Sequence, residues 1–154
     1  MTSSKPDSSK ILRIIDANFN RISEGLRLLE EIARMLLDDA GLTQQLKSLR
    51  HGIIRGDISF QQKLLQSRDS AGDVGIDIEV AGEEKGKELP IVLVANAKRV
   101  QESLRVLEEL SKVPGVPPEL ESEKFKHARF KLYTIEQELM AKLLEQDKKA
   151  DKKK

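Results

Sequence analysis

Apolar residues recur every three or four positions along most of this chain. From Ile11 they run through Ile15, Ile22, Leu26, Leu29, Ala33 and Leu36, the spacing of one buried helical face. The same spacing returns at Leu42, Leu46, Leu49, Ile53, Phe60 and Leu64, and again at Phe125, Ala128, Leu132, Ile135, Leu139 and Leu143. Gly41 and the breaker VPGVPP at 113–118 punctuate the pattern. One position is out of place. An apolar residue at 18 would make the first line continuous, and the chain carries Asn18 there.

The anomaly occurs twice. Residues 15–34 read IDANFNRISEGLRLLEEIAR and residues 93–112 read LVANAKRVQESLRVLEELSK, with nine of twenty aligned positions identical. Shared leucines are expected of any two amphipathic helices. A shared A-N-x-x-R-x-x-E is not. Each copy leads into a second helical pattern, so the sequence predicts an all-α fold: a four-helix bundle made of two duplicated α-hairpins. A long Gly-rich loop, 67–90, connects them, and within it GIDIEVAG has a weak strand signature. One domain over 9–146 is expected, between a disordered start at 1–8 and a Lys-rich disordered tail at 147–154.

Composition narrows the class. Aromatic residues are 3% and charged residues 34%, against the Val, Tyr, Phe and Trp that sandwich strands favour. There is no cysteine, which excludes disulfides, thiolate zinc and a cysteine nucleophile. Net charge is +1, and the tail holds five lysines against two aspartates, so the remainder is close to −2. A body so near neutrality is not a nucleic-acid footprint. No apolar run spans a membrane and the start lacks a signal peptide's apolar core, so a cytoplasmic protein without membrane contact is expected. Stripes this long can pair two chains as a homodimer as readily as they fill a monomer.

On a helical wheel Asn18, Ile22, Gly25 and Leu29 share a narrow face, with Arg21 at its edge and Glu24 beyond. Asn96, Val100, Ser103 and Leu107 repeat that face, with Arg99 and Glu102 alongside. Burying an unpartnered amide costs about 1–3 kcal/mol. Two readings account for having it twice. In one, the asparagines pair with each other and fix helix register. In the other, Gly25 and Ser103 make room for a pocket where Asn18, Asn96, Arg21 and Arg99 converge on an anionic small molecule, joined by Arg50 and Arg129; guanidinium forks suit phosphate and carboxylate. Glu24 and Glu102 either form surface pairs with neighbouring arginines or steer Arg21 and Arg99 inward. Arg27, Glu31, Arg105 and Glu109 lie on the far face as surface pairs.

The loop start, SRDSAGDVG, is a second candidate. Gly72 and Gly75 permit backbone N–H groups to approach an anion, Asp69 and Asp73 can hold magnesium, and Arg68 can neutralise a phosphoryl group. The same residue types also make ordinary turns. GEEKGKE lacks P-loop spacing, and His51 and His127 form no metal motif. A histidine phosphotransfer domain would need more than LRHGIIRG around His51.

Taken in order, ANFNRISEGLRLLEEIAR, LKSLRHGI, RDSAGDVG, ANAKRVQESLRVLEELSK and FKHARFKLYTIE resemble a small helical family of bacterial thiamine biosynthesis. Its members occur alone or fused in front of thiamine-phosphate synthase, and act as monofunctional hydroxymethylpyrimidine-phosphate kinases. The resemblance spans roughly residues 11 to 140. It implies transfer of a phosphoryl group from ATP, with Mg2+, to 4-amino-5-hydroxymethyl-2-methylpyrimidine phosphate. On that reading Asn18, Asn96, Arg21 and Arg99 bind pyrimidine and phosphate, Arg68 and the Gly72–Gly75 backbone cradle phosphates, and Asp69 and Asp73 hold magnesium. The alternative is a non-catalytic helical module for ligand binding or dimerisation.

Overall fold

The stripes close on one another. In a computed structural model describing residues 8–53, 57–78 and 86–152, the chain is all-helical, with no strand among the described residues. Helix α1 spans Ser8–Glu31 and runs into a π turn at Ile32–Leu36; α2 spans Ala40–Ile53, α3 Ile58–Gln66, α4 Leu89–Leu110 and α5 Ser122–Lys152. Helix α1 packs on α4 and α2, α5 packs on the same two, and α3 lies on α1. Ile15, Ile22, Leu26, Leu29 and Ala33 face Leu93, Val100, Leu104, Leu107 and the full α2 and α5 stripes in one continuous apolar core. Phe19 sets its ring edge-on to Phe60 and Phe125, at 6.4 and 6.0 Å between centroids, tying α3 and α5 to α1.

Four boundaries differ from expectation, each for a local reason. Leu36, the last member of the first stripe, is exposed, because the π turn carries it off the helical register. The stop before α2 is not Gly41, which lies inside α2; it is Asp38, which adopts φ 50°, followed by Asp39, whose carboxylate accepts the Leu42 N–H at 2.9 Å. The single helical pattern from Leu42 to Leu64 is split into α2 and α3, with Asp57 capping α3 through the Phe60 N–H at 2.9 Å. Finally, α5 continues to Lys152, six residues into the stretch expected to be a disordered tail, aided by the Glu145–Lys149 pair one turn apart. Of the GIDIEVAG stretch, 75–78 form turns and 79–82 lie outside the described residues, as do 1–7.

Candidate functional site: the seam between α1 and α4

The two amide-bearing segments meet. A Cβ built on Gly25 would lie within 3.0 Å of the Val100 side chain and 3.4 Å from the Asn96 carbonyl oxygen, so α1 rests directly on the repeated motif of α4. Gly25 therefore brings the helices into contact; it does not open a pocket between them. Asn18 is buried and Asn96 half-buried. Their amides are not paired with each other through the N–H groups: Asn18 Nδ2 donates to the Ile14 carbonyl and Asn96 Nδ2 to the Val92 carbonyl, both at 2.8 Å. The duplicated amide thus repeats one bond, back to the preceding turn of its own helix, which removes most of the burial penalty without help from a partner.

On the shoulders of this seam, Arg21, Glu24, Arg99 and Glu102 are all exposed and make no ion pair or hydrogen bond among the described residues. Other arginines are engaged. Arg27 pairs with Glu31 and Arg105 with Glu109 as surface pairs in the expected place, and Arg105 also reaches the buried Glu108 at 3.2 Å. Arg50 is not available to the seam: its guanidinium lies on buried Glu30 at 2.9 Å. Arg129 grips the equivalent Glu108 at 3.1 Å and stacks on Phe130. These two ion pairs, one per repeat, clamp α2 to α1 and α5 to α4. Glu30 and Glu108 are identical in the two copies, which is the signal by which the sequence marks them. Gln101 adds a further tie to Glu136 on α5 at 2.8 Å, while Ser23, its counterpart in the first copy, leaves a buried hydroxyl without a partner among the described residues.

The loop after α3 folds onto α1, at residues 13 and 16. Arg68 binds the buried carboxylate of Asp16 through two bonds, at 2.6 and 3.1 Å, and this carboxylate raises the arginine's pKa. Arg13 donates to the Asp69 carbonyl at 3.2 Å. No described bond links the loop to Arg21 or Arg99. Asp69 and Asp73 each spend one oxygen on a turn, accepting the Gly72 and Gly75 N–H groups at 2.9 Å, so those two N–H groups are occupied. A Cβ at Gly72 would strike the Asp69 carboxylate, which gives that glycine a structural reason. Among the described residues no group of three histidine, aspartate or glutamate side chains gathers to hold a metal. His51 is exposed, and His127 stands 3.9 Å from Glu123.

Fold and site together define an all-α domain in which two related helices meet along an amide-bearing seam edged by unpaired arginines. Residues 13–138 match the model of the ThiD2 family, and the chain belongs to that family, a thiamine-biosynthesis domain. Curated relatives carry the name thiamine-phosphate synthase. The one from Rhodopirellula baltica is 46% identical over 69% of this chain and 28% of its own length. That from Nostoc punctiforme is 38% identical over 84% and 35%, and that from a Synechocystis species 37% identical over 88% and 38%. The chain thus spans about a third of the length of these relatives. No solved structure matches it.

Proposed function

We propose that this protein transfers a phosphoryl group from ATP to 4-amino-5-hydroxymethyl-2-methylpyrimidine phosphate, forming the diphosphate for thiamine biosynthesis in the cytoplasm. Family membership supports the pathway. The four-helix bundle of two duplicated hairpins belongs to the same proposal, supported by the circuit of contacts through α1, α4, α5 and α2 and by the paired clamps Glu30–Arg50 and Glu108–Arg129.

The observation that carries the reading is the state of Arg21 and Arg99. They occupy equivalent positions in the two copies, beside the seam, exposed and unpaired. Phosphoryl transfer asks a protein mainly to position two anionic ligands and neutralise developing charge. The acceptor phosphate is already ionised, so no strong base is needed. Arg21 and Arg99 bind phosphate oxygens, and the half-buried Asn96 presents its amide to the pyrimidine edge. Magnesium held chiefly by nucleotide phosphates needs only one or two carboxylates. Asp69 and Asp73 each keep one oxygen clear of its turn bond, so they fit that lesser role, and magnesium bound there would supply charge neutralisation. The rival module predicts that the two asparagines bond each other across the seam, whereas the described amide bond of each runs back along its own helix.

The test is direct. Purified protein, ATP, magnesium and the pyrimidine monophosphate are incubated and the diphosphate measured by chromatography. Diphosphate should form and should fall at least about a hundredfold in an Arg21→Ala, Arg99→Ala double variant, the loss of two charge-assisted contacts. Normal turnover by that variant removes the site; no turnover by the wild type removes the activity.

A further inference from the structure

The two repeats end differently. Although α1 and α4 share their motif, α4 closes as ordinary α-helix at Leu110, whereas α1 widens into the π turn Ile32–Leu36 and passes through Asp38 in a left-handed conformation. Helix packing common to both copies therefore does not demand the wide turn. Beside it lies an open surface depression of about 440 Å3 whose lining includes Arg34, Asp38, Asp39, Gln44 and Lys47. That volume accommodates a small metabolite. Two of these residues are exposed cations with no partner among the described residues: Arg34 from the π turn and Lys47 from α2. Asp39 does not neutralise them. Its carboxylate is taken by the Leu42 N–H and by Lys142 of α5, which together hold its pKa down. The α2 amino terminus is likewise occupied by Asp39. The lining carries two cations, Arg34 and Lys47, and two carboxylates, Asp38 and Asp39; with Asp39 already paired to Lys142, Asp38 is the one carboxylate left to face both cations.

We propose that this depression binds a small phosphorylated ligand at a site separate from the α1–α4 seam. Phosphate oxygens lie between the Arg34 fork and the Lys47 ammonium, while a donor group on the ligand meets Asp38. The π turn shifts the helical register over residues 32–36 and so sets where Arg34 enters the lining.

Inorganic phosphate and pyrophosphate, titrated into the full chain and followed by amide chemical shifts, provide the test. Residues 34–47 should shift saturably. An Arg34→Gln, Lys47→Gln double variant, which removes no contact of the fold, should weaken binding by about tenfold or more. The Arg21→Ala, Arg99→Ala variant should leave the response at 34–47 intact, so failure of the kinase reading and failure of this one are separable. Absence of shifts at 34–47 in the wild type overturns the proposal. So does equal affinity in the glutamine variant, or loss of the response in the seam variant.

Discussion

Replacing Gly25 by alanine sets two effects of opposite sign against each other. In an ordinary helix interior the change stabilises by about 0.5–1 kcal/mol, because glycine loses more backbone freedom on folding. Here the new methyl lands on Val100, which is fully buried and β-branched, with the Asn96 carbonyl behind it at 3.4 Å. Val100 has few rotamers to retreat into, and a carbonyl in a helix ladder cannot yield without breaking its own bond. Overpacking of this kind costs about 1–3 kcal/mol. The balance is a net loss of about 1 kcal/mol, and Gly25→Leu should lose several times more. A double-mutant cycle isolates the cause. Val100→Ala alone leaves a small cavity and destabilises; in the Gly25→Ala background it makes room for the methyl, giving a favourable coupling of about 1 kcal/mol or more. Urea unfolding followed by far-ultraviolet circular dichroism suits a chain with no tryptophan and a single tyrosine. The close approach of α1 and α4 is refuted if Gly25→Ala is as stable as the wild type or more so, with no coupling to position 100.

Further outcomes follow from the ion pairs. Glu30→Ala and Glu108→Ala should each destabilise by about 3 kcal/mol, since each strands a largely buried arginine, and equal stability in urea would refute the clamps. Asp39 is held below the ordinary carboxylate range by the Leu42 N–H and the Lys142 ammonium, so its contribution is present above about pH 4 and fades as pH falls through and below that range. Asp39→Asn should flatten the acid limb of a pH–stability profile, and an unchanged limb would contradict the assignment. Asp16→Ala should release Arg68 and speed tryptic cleavage after it, whereas an unaltered digestion rate would mean the loop is held by other contacts.

The sequence by itself determined which faces of the helices are buried. The members of the α2 and α5 stripes, and most of those of α1, lie in the core, because a 3.6-residue period can bury one face only by packing it against other helices. It also showed that the segments forming α1 and α4 share nine of twenty aligned residues, and it marked Asn18, Arg21, Asn96 and Arg99 as the feature needing explanation. Tertiary structure decided where those residues and their neighbours sit and which of them are already paired. Gly25 reads alike as a spacer beside a pocket or as a point of contact, and only the position of Val100 tells them apart. Arg21 and Arg50 are the same residue type beside the same kind of stripe. One stays free and the other is consumed, because α2 happens to bring Arg50 to Glu30. Arg68 likewise finds Asp16 across 52 residues of chain. Periodicity is a local property and is written along the chain. Which charge meets which across a long separation depends on where helices end, and here that was set by a π turn, a left-handed aspartate and a break between α2 and α3, features of a few residues that leave no periodic trace.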